Sequence, residues 1–532
     1  MTTTRTLKNQ TLIRIAILLV ILILLNIVSV RVFGRFDLTR NKVFTLSEAS
    51  KNLMRGLDDK VTVKAYFTED LPAPYNDNRR QVLDELNEYK AYAGGNLEYE
   101  FIDPSGDKAE QDAQAQGIAP VQVQVVKEDK FEVKRAYMGL AFLYEDKKEI
   151  IPVVQNTSTL EYDISSNIKR LTARSQKTIG FLTGQGEPGL NELNHAQELL
   201  KKQYRVTTVN VDKGQAIPDE ISALLVVAPS TRFTEPEKFQ IDQYLMHGGK
   251  VAFLLNRISA DLQNRFGRAL DVNLDDLLQN YGLRINPDLV RDLQCASISL
   301  VQQQFGLSIQ SQVPFPYIPA ASTFSKGNAM VKDLQRIIFF FISSVDTTAI
   351  SSRNLKAEVL VWSSKQSGRQ TGMFMYDPLQ RYTREEIAAD FSEKEIPLAA
   401  VVEGKFTSFY AGRPAPVDTS AGAAPPPASP LASSPDTRVV LVGDGDFMRD
   451  QYLGNQDNLT FFANMVDYLV DDAGLISIRS KEISMPPLEQ ISDGAKKALK
   501  YANLILPPGL VLAYGLARWR MRKARKKALE SR

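Results

Sequence analysis

One cysteine, two histidines and two tryptophans are all that 532 residues contain of those types. The single thiol, Cys295, makes an intrachain disulfide impossible. With only His195 and His247 beside it, a Cys/His zinc cluster has too few ligands. No Cys-x-x-Cys, no Gly-x-Ser-x-Gly and no Gly-Lys-Ser/Thr occurs. Dithiol exchange, hydrolase-type acylation and phosphate-loop nucleotide hydrolysis therefore each lack their central part. Excess charge is also missing. The 64 Lys and Arg nearly balance 62 Asp and Glu, a net of +2 that supplies no general basic field for nucleic acid.

Long apolar runs are scarce too, and the two that exist are informative. Residues 15–33 read IAILLVILILLNIVSVRVF, near the length that crosses a bilayer, and no small-residue cleavage site follows. Residues 502–517 read ANLILPPGLVLAYGLA, uncharged and followed by Trp519, and the span extends over 501–519. Each run is bordered by a basic tail. Arg5, Lys8 and Arg14 stand alone in 1–14, and 518–532 carry eight cations against Glu530, so the residues between the runs are acidic on balance. Short Lys/Arg-rich flanks stay cytoplasmic. The expectation is a two-pass membrane protein with both termini inside and one large extracytoplasmic body, set in a bacterial inner membrane.

The body reads as two α/β units. In the first (34–175), KVTVKAYF alternates like a strand, and Val82, Leu86 and Tyr89 recur at helical spacing until Gly94-Gly95. LEYEFI, a polar helix, the Pro120-led VQVQVV and the strands FEVKRAYMGLAFLYE and KEIIPVV follow, closed by helix EYDISSNIKRLTA. That order resembles a thioredoxin-like fold over about 57–155, without its dithiol. The second unit (176–475) alternates strands and helices. TIGFLTG, RVTTVNV, SALLVVAP, KVAFLLN and TRVVLVGDGDFM imply a doubly wound parallel sheet. A strand-rich insertion spans about 290–437, with AEVLVWSS among its strands, and its Pro/Ala/Ser-rich part, 414–435, is expected to be a mobile loop. Residues 476–500 connect this unit to the second apolar run.

Candidate chemistry is thin. Gly184, Gln185, Gly186 and Glu187 follow a strand and precede a helix, where backbone N–H groups could meet a ligand; the same residues also suit a tight turn. Asp444 and Asp446 in Gly-Asp-Gly-Asp suit turn and capping roles better than a cation site. Ser230 follows a strand but lacks a nucleophile motif. His247 stands at a helix end, His195 lies within an amphipathic helix, and Cys295 reads as a small buried residue. No catalytic residue, metal ligand or cofactor is assigned.

The stretch FDLTRNKVFTLSEAS after the first apolar run, the TGQGEP loop, LLVVAPSTRFTEPEKFQIDQYLMHGGKVAFLLN and VVLVGDGDFM together resemble the GldG family of gliding-motility-type ABC transporter auxiliary proteins. The resemblance covers nearly the whole chain. It implies a glutamine-amidotransferase-like middle unit without catalytic residues, and a permease and a cytoplasmic ATPase as partners. Where that family often has Gly-His-Gly-Glu, this chain has Gly184-Gln185-Gly186-Glu187. The expected function is a noncatalytic extracytoplasmic subunit of an ABC transporter complex that binds or gates substrate or an envelope partner. The alternatives are a stand-alone envelope scaffold or polysaccharide-binding protein, and an envelope hydrolase using Ser230 or the acidic loop.

Overall fold

The computed structural model describes residue 17 and residues 45–530, apart from short stretches of which 349–354, 419–429 and 480–492 are the longest. The chain forms two units by contact, Met1–Ser484 and Met485–Arg532.

The larger unit opens with helix α1 (Glu48–Arg55), whose N-cap Ser47 side chain accepts the Ser50 N–H. Strand β1 (Val61–Phe67) buries Val61, Val63 and Ala65 completely, as alternation requires. Helix α2 (Asn76–Tyr92) turns Val82, Leu86 and Tyr89 into the same core. Strand β2 (Leu97–Ile102) and helix α3 (Asp107–Gln116) follow, the helix ending at Gly117 with φ +90°. The sequence VQVQVV…FEVKRAYMGLAFLYE then divides differently from its reading as one strand followed by a long second one. Strands β3 (Val121–Lys127) and β4 (Lys130–Ala136) pair only with each other, and the chain breaks at Tyr137 before β5 (Met138–Tyr144). Alternating polar residues suit the ribbon, whereas MGLAF is apolar on both faces and enters the core sheet. With β6 (Lys147–Ile151), that sheet runs β2-β1-β5-β6. Its β1 and β2 are parallel, and the other neighbours are antiparallel. Helix α4 (Leu160–Thr172) packs on it through Ile164, Ile168 and Leu171.

The second sheet begins at β7 (Thr178–Thr183). A 3-10 turn and helix α5 (Asn194–Lys201) lead to β8 (Arg205–Asn210). Next come β9 (Ile221–Val227), helix α6 (Glu235–Met246), β10 (Val251–Leu254) and helix α7 (Asp275–Asn280). An uncharged hairpin, β11 (Cys295–Gln304) and β12 (Leu307–Ala321), follows before β13 (Thr323–Phe324), β14 (Lys356–Trp362), β15 (Pro397–Thr407), β16 (Ser433–Val442) and helix α8 (Gln456–Leu469). The eight strands lie in the order β13-β14-β15-β16-β10-β9-β7-β8. Neighbours from β16 to β8 are parallel, and β13 to β16 are antiparallel.

The expected parallel sheet is therefore a mixed one. The region read as an insertion contributes three of its strands, because AEVLVWSS and PLAAVVEG are apolar enough to extend the sheet rather than form a layer of their own. Of the Pro/Ala/Ser-rich loop, 419–429 lie outside the described residues, and Ser433–Pro435 already belong to β16. One face of the sheet buries Ala196, Leu200, Phe461, Phe462 and Met465 from α5 and α8. The other buries Ile241, Leu245, Leu277 and Leu278 from α6 and α7. At ~25 cal/mol per Å² of apolar surface, these two sandwiched layers are the main stabilising term.

Residues 485–532 contain helix α9 (Asp493–Glu530), with Pro507 and Pro508 inside it. The second apolar run lies wholly in this helix, and Leu504, Ile505, Val511, Leu512 and Trp519 are exposed. No helix among the described residues is both long and apolar enough to cross a membrane. In α9 the cause is dilution, because Asn503, the two prolines and Gly509 interrupt the aliphatic residues. Except for Ile17, the first run, 15–33, lies outside the described residues.

Candidate functional site

The five parallel strands lie in the spatial order β8-β7-β9-β10-β16, so the winding direction reverses between β7 and β9. The loops leaving the carboxyl ends of strands at such a reversal flank the crevice where open α/β sheets hold ligands. Here those loops are Gly184–Glu187 after β7 and Ala228–Ser230 after β9. They are joined by hydrogen bonds. Gln185 O accepts the N–H of Ser230 (2.8 Å) and of Thr231 (2.9 Å), and Ser230 Oγ donates to Gly186 O (3.0 Å). Gly186 is required for this closeness. Its φ is +74°, and a Cβ there would stand 2.1 Å from Ser230 Oγ.

The loop supplies its own anion. Glu187 Oε2 accepts the Gln185 N–H at 2.8 Å, which occupies one of the donors that a ligand would need. Burial pushes the Glu187 carboxyl above its ordinary range, against the pull of backbone hydrogen bonds at Glu187, Gln185 and Gly184. Among the described residues, Glu187 Oε1 and Gln185 Oε1 are buried without a hydrogen-bond partner.

Across the crevice, the Gly-Asp-Gly-Asp turn after β16 completes the wall. Asp444 is fully buried; its carboxylate accepts N–H groups from Phe340 and Asp446, both at 2.6 Å. Burial, and then the adjacent Asp446, hold the Asp444 carboxyl well above the carboxylate range. Asp446 accepts from Asn256 Nδ2 (2.8 Å) and from Arg449 Nη1 (3.0 Å), while Asn256 Oδ1 accepts the Gly445 N–H (2.8 Å). The turn role expected of the two aspartates is the one they have, but neither caps a helix: the N-cap of α8 is Asn455. Among the described residues no group of acids, histidines or cysteines could hold a metal. The resulting cleft, of ≈ 400 Å³, is lined by Glu187, Ser230, Asn256, Asp446, Arg449 and Tyr452 among others. Phe340 and Tyr452 pack with ring centroids 4.5 Å apart and planes tilted by 31° on its side.

Asn256, Arg449 and the Phe340–Tyr452 pair were not singled out in the sequence. The one available signal was Asn256, a polar residue ending the apolar run VAFLLN. The other candidates separate. Asp450 Oδ1 contacts His195 Nδ1 (2.9 Å) and, with Oδ2, accepts the first N–H groups of α5, so the pair caps a helix. The C-cap His247 contacts Gln243 O through Nδ1 at 2.7 Å. Cys295 starts the β11 hairpin, and burial, then Asp292, push its thiol up to about 11. Ala228, at the end of β9, has φ +43°, a sharp elbow carrying a methyl group.

A model of the ABC-type uncharacterized transport system family matches residues 176–472, which include the whole crevice. The chain belongs to that family. A domain family of unknown function matches 40–143, which covers the first α/β module up to β5. An uncharacterized protein of Borreliella burgdorferi is 25% identical over 520 residues, 95% of this chain and 97% of that one. Among solved structures, the mmIFT52 N-terminal domain overlaps 55% of this chain and 96% of its own, at 15% identity and a TM-score of 0.33. The exo-beta-1,4-mannosidase Op5Man5 from Opitutaceae bacterium strain TAV5 overlaps 78% of this chain and 51% of its own, at 10% identity and a TM-score of 0.22. Membership of the ABC-type transport family supports an auxiliary role and association with a transporter complex.

Proposed function

We propose that this chain is a noncatalytic extracytoplasmic auxiliary subunit of an ABC transporter complex, of GldG type. In this reading residues 15–33 and 501–519 anchor it in a bacterial inner membrane beside a permease, and a cytoplasmic ATPase powers the complex. The strand order β2-β1-β5-β6 favours a thioredoxin-like first module. The β8-β7-β9-β10-β16 winding favours a glutamine-amidotransferase-like second module.

The observation that carries the reading is the Ala228 elbow. The chain makes a sharp turn at the carboxyl end of β9 but places a methyl there, and the neighbouring Ser230 hydroxyl is bonded to a backbone carbonyl. A body built this way acts by binding and position. The exposed aliphatic surface of α9 and the cations that follow it fit a helix seated in lipid with its tail inside. Affinity purification of the full chain from native membranes in mild detergent tests the proposal. Co-purification of a multi-span permease and an ATPase in fixed ratio is expected, and repeated recovery of the chain alone contradicts it.

A further inference from the structure

A second cavity lies on the segment joining the two modules. It has a volume of ≈ 790 Å³, with β6 and α4 on one side and α5 and the turn after it, Lys202–Tyr204, on the other. Six cations line it: Lys147, Lys169, Arg170, Lys177, Lys201 and Lys202. Among the described residues only two carboxylates do, and one of them, Glu149, is already paired with Arg170 at 2.5 Å. Two of the cations bind neutral oxygens that leave their charge uncancelled: Lys147 Nζ donates to Ala173 O (3.1 Å), and Lys201 donates to Gln197 Oε1. A concave wall of low dielectric concentrates the field of such a group.

A second observation points the same way. Gln203, which lines this groove, is only 8% exposed, and its Nε2 donor has no hydrogen-bond partner among the described residues. A buried donor left unpaired is costly, so its persistence beside six cations calls for an acceptor-rich occupant.

We propose that the inter-module groove is a binding site for a multiply charged oxyanion of the oligophosphate class. Gln203 Nε2 and the ammonium groups of Lys201 and Lys202 are its donors, and charge-assisted bonds of this kind are the strong ones. The occupant fastens α4 of the first module to α5 of the second. The site is separate from the switch-point crevice and stands whether or not the transporter reading does. A phosphate headgroup and a soluble oligophosphate share this chemistry.

The test titrates inorganic tripolyphosphate into the full chain in neutral detergent, followed by calorimetry. Saturable binding is expected. Each lost bond weakens it about tenfold, so Gln203→Met binds about tenfold more weakly and Lys201→Gln/Lys202→Gln about a hundredfold. The two lysines are exposed, so the first variant folds; thermal melting checks the second. Arg413→Gln, outside the groove, should bind as the wild type does. Competition by micelles doped with phosphatidylglycerol assigns the site to a headgroup, and unchanged affinity assigns it to a soluble oxyanion. Absence of binding overturns the proposal. So does binding that both groove variants retain, or that Arg413→Gln weakens equally.

Discussion

Arg479 lies buried against Asp467, its Nη1 2.9 Å from the carboxylate, and its Nη2 donates to Tyr162 Oη at 2.9 Å. Tyr162 belongs to α4 of the first module and Asp467 to α8 of the second, so one guanidinium ties the two together. Nη1 also donates to Asn464 Oδ1 at 2.6 Å, and Tyr204 Oη donates to Asp467 Oδ1 at 2.7 Å.

Removing one partner of such a pair leaves the other buried and uncompensated, which costs ~3–5 kcal/mol. Arg479→Met is expected to lower the melting temperature strongly. The double variant Arg479→Met/Asp467→Leu should recover much of the loss. Calorimetric melting of the single and double variants checks this, and a double variant no better than the single one counts against the pair.

Gly186→Ala should cost ~1–3 kcal/mol, since it forces a Cβ against Ser230 Oγ at a left-handed φ. Ser230→Ala alone should cost ~1 kcal/mol, one hydrogen bond, and in combination should relieve the collision but leave the backbone strain. Denaturant midpoints of the three variants separate the two terms.

Much of this was legible beforehand, because burial writes itself into residue pattern. SALLVVAP and KVAFLLN are apolar on both faces, so β9 and β10 could only be central strands. The 184–187 loop and the aspartate turn were placed correctly at strand ends. Their convergence was not visible, because strand order depends on the winding of the whole chain and not on any local segment. Arg449 and Tyr452 look like ordinary surface residues in sequence; only the β16 position next to β10 brings them to the crevice. The β4–β5 break was missed because the only change across Tyr137 is from one buried face to two.

Burial raises the Glu187 carboxyl, so the folded state binds its proton more tightly than the unfolded chain does. That contribution is fully present below the unfolded value and is lost as pH rises through the folded one. Glu187→Gln carries no such dependence. The melting temperature of the wild type relative to this variant should therefore fall as pH rises above the ordinary glutamate range. A constant difference contradicts the assignment.

Cys295 should be slow towards alkylation. With its thiol at about 11 against an ordinary 9.0, the thiolate fraction near neutral pH drops about a hundredfold. Iodoacetamide labelling of native and unfolded chain measures the ratio. Equal rates would mean that the hairpin base does not shield it.

That slow native thiol leaves a quiet background for the decisive measurement, the side of the membrane on which each part lies. Single cysteines at exposed positions such as Lys213 and Lys405 in the body, and at Arg522 in the basic tail, are labelled with a membrane-impermeant maleimide in bacterial spheroplasts. The account predicts that the body sites react in intact spheroplasts while Arg522→Cys reacts only after lysis. Body sites that stay protected until lysis would contradict it.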